Sequence, residues 1–251
     1  MALHPDFLTR PLAHRGLHDR AQRRPENSRA AFRAAIAAGY GIELDLQGSA
    51  DGQAMVFHDD NLNRLTAATG PVRLMTAAQL QTVFLRDSDE TIPTLQDVLE
   101  LVRGQVPLLV EIKDQDGAFG PNTGTLEAAT ARLLQDYDGP VAVMSFNPDA
   151  MAHMRDLAPG LARGLVTYDF TADPGCNGID RDHLAALSEI ADYDRVGACF
   201  ISHDRTDLTR PRVAALKRAG AAILCWTVRS KAQEAEARKI AENITFEGYL
   251  A

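Results

Sequence analysis

The stretch GIELDLQGSADGQAMVFHDD, residues 41–60, carries two carboxylates one residue apart inside a short apolar run. Alternate side chains of a β-strand point to the same face, so Glu43 and Asp45 share one face and the aliphatic residues share the other. Buried carboxylates at this spacing repel one another unless a cation lies between them, whereas on a solvated face they cost little. The choice between the two cases depends on whether the strand is buried on both faces, and therefore on the fold.

The rest of the chain alternates short β-rich apolar runs with longer alanine-rich runs of helical period. The predicted strands are 11–15, 41–47, 107–113, 141–146, 162–168, 196–202, 221–228 and 243–249. The first long helix is predicted to begin after Ser28 and to end at Gly39. This order predicts one (β/α)8 TIM barrel domain, residues 1–251. The alternative is a doubly wound open sheet, but no glycine-rich phosphate turn follows the first strand.

Residues 48–93 interrupt the alternation. They contain a second short extended run, AMVFHD (54–59), and then a polar, irregular segment that precedes the next helix. We interpret them as an insertion after the second strand. Because the strand-to-helix loops of a barrel all lie at the carboxyl ends of the strands, the insertion is expected at the catalytic face.

Composition narrows the classes of function. A formal net charge of −8 argues against binding to nucleic acid or to an anionic membrane surface. Cys176, Cys199 and Cys225 lack CxxC spacing, so reduced core thiols are predicted rather than disulfides or a zinc site. No apolar signal segment or membrane-spanning run is present, so a cytoplasmic protein without a membrane anchor is expected. Nothing in the composition predicts an oligomeric state.

Acidic and basic side chains gather near the carboxyl ends of the first three predicted barrel strands. They are His14 and Arg15 on the first strand, Glu43 and Asp45 on the second, His58 and Asp59 after its hairpin, and Glu111 and Lys113 on the third. Central parallel strands have no solvated face, so a purely structural explanation would require all three strands to break the burial rule together. These side chains are therefore predicted to form one site.

The residue types predict the chemistry of this site. Three carboxylates without a cysteine ligand favour a hard divalent cation, Mg2+ or Ca2+, over zinc. A guanidinium and an ammonium beside such a cation form a pocket for an oxyanion, of which phosphate is the commonest. Two histidines with ordinary pKa values near neutrality could act as general acid and general base.

In its ordered motifs the chain resembles the glycerophosphodiester phosphodiesterases, a family of the phosphatidylinositol-specific phospholipase C-like TIM barrel superfamily. The motifs are AHRG (13–16), PENS (25–28), IELDLQGSADGQAMVFHD (42–59), LNRLT (62–66), IPTLQDVLELV (92–102), PLLVEIK (107–113), SFNP (145–148) and CWTV (225–228). Each motif alone is weak, but the ordered set is specific and covers nearly the whole chain. The resemblance implies the same barrel with a small insertion after the second strand.

Carried over residue by residue, the resemblance implies a role for each polar side chain. The metal ligands would be Glu43, Asp45 and Glu111, the acid/base pair His14 and His58, and the phosphate-binding residues Arg15 and Lys113. Asn27 or Ser28 is expected to cap the first helix, while Glu26 reaches toward Arg15 or the surroundings of the metal. Phe146 and Trp226 are expected to line the alcohol end of the pocket, and His203 to lie at the rim without a family role.

The chain departs from the family pattern near its C-terminus. Family members usually carry a motif like DGIITDxP, whereas this sequence reads AENITFEGYLA, with Phe246 and Glu247 at the threonine and aspartate positions. No eighth outer helix is expected after this strand. The departure bears on the bottom of the pocket, and so on which alcohol the pocket accepts.

The predicted function is metal-dependent hydrolysis of a small-molecule phosphodiester, a glycerophosphodiester, to glycerol phosphate and an alcohol. Two alternatives stay open. One is a phospholipase D-like lysophospholipid phosphodiesterase, which exposed apolar residues around 60–90 would favour. The other is a catalytically silent barrel that binds phosphodiesters, which turnover of glycerophosphocholine would exclude.

Overall fold

Eight parallel strands close into a barrel within residues 2–251, the part of the chain that the computed structural model describes. The strands are β1 (Leu12–Ala13), β2 (Gly41–Gly48), β3 (Ala54–Val56), β4 (Leu108–Ile112), β5 (Val141–Ser145), β6 (Ala162–Thr167), β7 (Phe200–Asp204), β8 (Ala222–Val228) and β9 (Asn243–Phe246). β3 pairs antiparallel with β2 and stays outside the ring. β1 pairs with both β2 and β9, which closes the barrel. The (β/α)8 prediction is thus confirmed and the open doubly wound sheet is excluded.

α-Helices accompany the strands, and most of them cover the outside of the barrel, although the first packs Phe7 into the interior and the third belongs to the insertion. They are α1 (Asp6–Thr9), α2 (Arg29–Ala38), α3 (Ala77–Leu80), α4 (Leu95–Val102), α5 (Thr125–Leu134), α6 (Pro148–Leu157), α7 (Arg181–Ser188), α8 (Pro211–Arg218) and α9 (Lys231–Ala237). α2 has the predicted ends: the Ser28 hydroxyl accepts a hydrogen bond from the Ala31 N–H, and Gly39 takes the left-handed conformation at φ 76°. None of the helices in residues 2–251 is long and apolar enough to cross a membrane.

Three apolar clusters support the site from different sides. The barrel interior is filled by side chains that include Leu109, Met144 and Phe200, while a larger cluster packs the strands against the outer helices. The insertion has a separate small core of its own, built around Met55, Phe57, Leu62, Leu80 and Leu85. The insertion is therefore a packed unit that rests on the barrel, rather than a loose loop.

Three strands differ from the sequence prediction by more than one residue at an end, and one of them, predicted at 243–249, ends at Phe246. β1 stops at Ala13 because Arg15 and Gly16 both have positive φ, 55° and 78°, and turn the chain immediately after the strand. The strand predicted at 196–202 instead spans Phe200–Asp204, since residues up to 197 form a turn that ends at Gly197, with φ 61°.

This shift corrects the position of His203. It lies inside β7 and is fully buried, with Nδ1 2.7 Å from the Thr167 hydroxyl, so the expectation of a rim residue was wrong. The three cysteines are unpaired, as predicted. Cys176 and Cys225 are buried, whereas Cys199 is only half-buried and so differs from the predicted core position.

Candidate active site

The turn after β1 carries the first basic residues of the site. Gly16 is required there, because a Cβ atom at this position would lie 2.8 Å from the ring of Phe32. Arg15 holds the left-handed conformation, which costs a non-glycine residue about 1–3 kcal/mol. Its backbone N–H donates to Glu43 Oε2 at 2.9 Å, and its carbonyl accepts from the Asn27 N–H at 2.9 Å. These bonds hold the turn against the second strand.

The three predicted metal ligands converge on one point inside the barrel. Asp45 and Glu111 are register partners across β2 and β4, and Glu43 lies two residues before Asp45 on the same strand face. All three are buried, and each offers a carboxylate oxygen within 4.8 Å of the others. Glu43 and Asp45 therefore share a buried strand face, where two carboxylates repel each other unless a cation lies between them.

Nearby cations offset part of the repulsion among these buried carboxylates. The Lys113 ammonium lies 2.7 Å from Asp45 Oδ1 and also contacts Glu111. Burial opposes the charge on Asp45, but the cations Lys113 and Arg15 outweigh it and hold the pKa of Asp45 well below its usual range. Glu43 has no such cation in contact, so burial and the neighbouring carboxylates raise its pKa. The raised pKa of Glu43 shows that the two cations leave part of the repulsion among the carboxylates unrelieved, and an all-oxygen donor set of this kind suits a hard divalent cation.

Glu26 and Asn27, the two residues predicted to support the site, contact different side chains. Glu26 Oε1 lies 2.6 Å from Arg15 Nη1, as the sequence suggested. The Asn27 side-chain amide donates to Asp45 Oδ2 at 2.8 Å, so Asn27 orients a carboxylate of the cluster and does not cap α2. The capping residue is Ser28. The alternative left open between the two residues is thus resolved by geometry.

His14 is held by a residue from the opposite end of the chain. Glu247 Oε2 lies 2.5 Å from His14 Nδ1 and 3.6 Å from His18 Nε2, while its other oxygen accepts from Arg229 Nε at 2.7 Å. The hydrogen bond with His14 and the nearby His18 ring lower the pKa of Glu247. Burial lowers the pKa of His14, and the bond to Glu247 only partly opposes this. Glu247, at the position where the family motif has aspartate, therefore supplies a carboxylate partner to His14.

His58 belongs to the insertion and is held by its neighbour in sequence. Its Nδ1 lies 2.7 Å from Asp59 Oδ1, and its backbone carbonyl accepts a hydrogen bond from Gln47 Nε2 at 3.0 Å. Asp59 in turn accepts hydrogen bonds from Arg64 at 2.7 and 2.8 Å. The insertion thus presents its histidine through a short chain of charged contacts, anchored to β2 by Gln47.

These side chains surround a cavity of about 180 Å3 at the carboxyl ends of the strands. The predicted site residues that line it are His14, Arg15, Glu43, His58, Glu111, Lys113, Phe146 and Trp226. Phe146 and Trp226 meet edge to face, with ring centroids 5.6 Å apart, and form the apolar side of the cavity. The cavity therefore has a polar side that includes the carboxylates Glu43 and Glu111 and an apolar side with two aromatic rings, while Asp45 lies behind its wall.

A larger groove, of about 710 Å3, lies between the insertion and the loop after β4. Its charged side chains are Asp60, Arg73, Asp114 and Asp116, and none of the predicted site residues lines it. Because it has neither histidine nor clustered cations, it offers no acid/base pair and no phosphate pocket. The smaller cavity is the candidate active site.

The sequence analysis assigns no role to Glu247, the partner of His14, or to Arg64, which contacts Asp59 beside His58. Glu247 directly follows β9. Its two-residue spacing from Thr245, which lines the cavity, is the signal that could have placed it near the site. Arg64 stood inside the quoted motif LNRLT without a role. Its position six residues after His58 gives no periodic signal, because the segment between them is irregular.

Comparison with known proteins gives a family. Residues 14–243 match the model of the glycerophosphoryl diester phosphodiesterase family. The chain is 30% identical over 188 residues to the glycerophosphodiester phosphodiesterase of Caldanaerobacter subterraneus subsp. tengcongensis, which covers 71% of this chain and 72% of the relative. It is also 30% identical over 176 residues to that of Bacillus altitudinis, with 66% and 70% covered.

Solved structures share the fold. One is a phosphodiesterase of Oleispira antarctica in complex with its product sn-glycerol-3-phosphate, with a TM-score of 0.77 and 24% identity over 95% of this chain and 92% of that one. Another is the glycerophosphodiester phosphodiesterase of Agrobacterium tumefaciens, with a TM-score of 0.71 and 24% identity over 94% and 95% of the two chains. At this identity the likeness concerns the barrel architecture.

Proposed function

Since the chain belongs to the glycerophosphoryl diester phosphodiesterase family and is a phosphodiester hydrolase, we propose that it converts glycerophosphodiesters to glycerol phosphate and an alcohol by metal-dependent, histidine acid/base catalysis. The observation that carries the proposal is the meeting of His14 and His58 at one small cavity whose wall includes buried carboxylates. One histidine comes from the barrel and the other from the insertion. General acid and general base can therefore approach a bound phosphate from different elements.

The residues that would hold the cation are Glu43, Asp45 and Glu111. Their oxygen-only donor set suits Mg2+ or Ca2+. When bound, the cation neutralises phosphoryl oxygens and stabilises the charge that develops on them. Lys113 already contacts two of these carboxylates, which limits their mutual repulsion.

The phosphate is bound by the cationic side chains of the cavity. Arg15 has a planar guanidinium that can donate two parallel hydrogen bonds to phosphate oxygens, and Glu26 fixes its position from behind. Lys113, directly after β4, adds a compact positive charge. The aromatic rings of Phe146 and Trp226 leave the remaining wall apolar, which suits the carbon skeleton of the substrate.

Proton transfer follows from the substrate's own hydroxyl. In a glycerophosphodiester a free hydroxyl lies on the carbon next to the phosphate ester, and its attack on phosphorus is intramolecular, with a large effective-molarity advantage over water. One histidine removes the proton from this hydroxyl and the other protonates the leaving alcohol. Water then opens the cyclic glycerol phosphate, with the two histidines in reversed roles.

The test compares substrates with and without the internal hydroxyl. Glycerophosphocholine should be hydrolysed much faster than bis(p-nitrophenyl) phosphate, despite the better leaving group of the latter, and faster than 2-deoxy-glycerophosphocholine, the matched control with the same leaving group. Rapid-quench 31P NMR should detect the cyclic glycerol phosphate. Comparable rates on all three substrates without a cyclic species would favour direct attack by water, and no turnover of any substrate would favour a silent binding barrel.

One observation favours a second candidate, hydrolysis of lysophospholipids. Leu74 and Phe84 of the insertion have 65% and 62% of their surface exposed, and exposed apolar residues in this segment are what a long acyl chain would contact. If lysophosphatidylcholine is a substrate, Leu74→Ser and Phe84→Ser should raise its KM and leave that of glycerophosphocholine unchanged. Leu157→Ser, which removes an exposed leucine on α6, is the control.

A further inference from the structure

The guanidinium of Arg64 makes two two-point ion pairs at once. Toward the insertion, its Nε and Nη2 lie 2.8 and 2.7 Å from the two oxygens of Asp59. Toward the barrel, its Nη1 and Nη2 lie 2.9 and 2.8 Å from the two oxygens of Glu26. Four of its five N–H donors are therefore engaged by two carboxylates from separate segments of the chain.

Each of these carboxylates also holds a residue of the cavity. Asp59 Oδ1 is the partner of His58 Nδ1, at 2.7 Å. Glu26 Oε1 is the partner of Arg15 Nη1, at 2.6 Å. One guanidinium thus connects the histidine that the insertion supplies to the arginine that the barrel supplies, although it does not line the cavity itself.

We propose that Arg64 is a positioning residue that sets the distance and orientation of His58 relative to Arg15. The proposal rests on the proposed function, in which these two side chains act on the same phosphate. The planar fork matters as well as the charge, because an ammonium group is a point charge and cannot satisfy two carboxylates with parallel hydrogen bonds. A misplacement of about 1 Å can cost about 10²-fold in rate, so a residue outside the cavity can control turnover through such contacts.

Docking of the insertion does not depend on Arg64 alone. Arg20, on the same loop as Glu26, lies 2.7 Å from Asp87 of the insertion, and Arg23 lies 3.1 Å from Asp89. The insertion also has its own apolar cluster and the hairpin pairing of β3 with β2. Arg20 is therefore a matched control: it joins the same two segments through an ion pair but contacts no residue of the cavity.

The experiment compares Arg64→Lys, Arg64→Gln and Arg20→Gln. With glycerophosphocholine as substrate, both Arg64 variants should lower kcat by about 10–100-fold, the range seen when the partner of a functional group is removed. Arg20→Gln should stay within about twofold of the parent. Arg20→Gln should keep the melting temperature within about 2 °C of the parent, since exposed ion pairs contribute little to stability. The Arg64 variants, which break a two-carboxylate network, should lower it further but remain folded at the assay temperature.

A crystal structure of Arg64→Gln gives a readout that does not depend on turnover. Its His58 and Arg15 side chains should take different rotamers or separate, and the Kd for sn-glycerol-3-phosphate should rise, whereas the Arg20→Gln structure should be unchanged. Full activity of Arg64→Lys, or unmoved His58 and Arg15 side chains in Arg64→Gln, would overturn the proposal. Absence of turnover in the parent protein would refute the proposed function, and the structures would still decide the role of Arg64.

Discussion

The two histidines of the site are held in opposite ways. His14 lies at the end of a barrel strand, is 14% exposed, and takes its carboxylate partner from a residue 233 positions away in the chain. His58 lies on the insertion, is 30% exposed, and takes its partner from the next residue. The barrel histidine is therefore positioned by closure of the sheet, and the insertion histidine by local contacts.

The difference concerns how firmly each group is placed. Closure brings the ends of β1 and β9 together, so Glu247 can move away from His14 only if the barrel is disturbed. The insertion side depends on ion pairs that are partly exposed, and salt screens such pairs more than buried ones. The barrel side should be the rigid half of the site, and the insertion side the adjustable half.

Removal of each imidazole should give the largest effect. His14→Ala and His58→Ala should each lower kcat on glycerophosphocholine by about 10²–10⁴-fold, because each removes one proton-transfer group. Thermal unfolding should separate the two variants, since only His14→Ala removes a contact between the first and last strands and should therefore lower the melting temperature more. Full activity in either variant would remove that histidine from the mechanism.

Replacement of the carboxylate that contacts each histidine by a neutral amide should cause a smaller loss of activity. Glu247→Gln and Asp59→Asn should each lower kcat by about 10–100-fold, because the carboxylate no longer orients the imidazole or stabilises its charged form.

Raised salt should reduce the activity of the parent protein by weakening the ion pairs of the insertion, so Asp59→Asn should be less salt-sensitive than Glu247→Gln. Steady-state kinetics at two ionic strengths measures the salt dependence of kcat for both variants. Equal salt dependence would contradict the idea that the insertion side is held less rigidly than the barrel side.

Divalent cations should stabilise the barrel side. At about 100 times its Kd, a cation adds about 2.7 kcal/mol to the free energy of unfolding, which corresponds to about 5–10 °C in melting temperature for a chain of this size. Glu43→Gln should abolish the shift, while Glu100→Gln, an exposed change on α4, should preserve it. A melting curve that is the same with Mg2+, with Ca2+ and with a chelator would contradict the metal site.

The pH dependence of stability should give the smallest effect. The pKa of Glu247 is lowered in the folded chain, chiefly by its hydrogen bond with His14. Its contribution to stability is therefore present above its unfolded-state pKa and is lost as the pH falls through the folded-state pKa. The difference in unfolding free energy between the parent and Glu247→Gln should therefore shrink below about pH 4.3. Urea titrations from pH 5 downward measure this difference in unfolding free energy. A difference that does not change with pH would show that the contact with His14 does not lower the pKa of Glu247.

Much of the site follows from local periodicity. The two-residue repeat of a strand is enough to place Glu43 beside Asp45 and Glu111 beside Lys113, and the alternation of strands and helices is enough to bring these strands to one end of a barrel. The structure agrees in both respects. The start of β7 differs from the prediction because residues 196–202 form an apolar run typical of a buried strand, while the turn that ends at Gly197 excludes the first of them.

The sequence by itself determined the fold class and the clustering of the three carboxylates, because both depend on spacing within single strands and on the order of elements. It predicted the two histidines from the family motifs. Only the tertiary structure decided that Glu247 supports His14 and that Arg64 joins Asp59 to Glu26. The first contact exists because the sheet closes and makes the two ends of the chain neighbours. The second exists because an irregular segment folds around its own apolar cluster, and neither event leaves a periodic signal in the sequence.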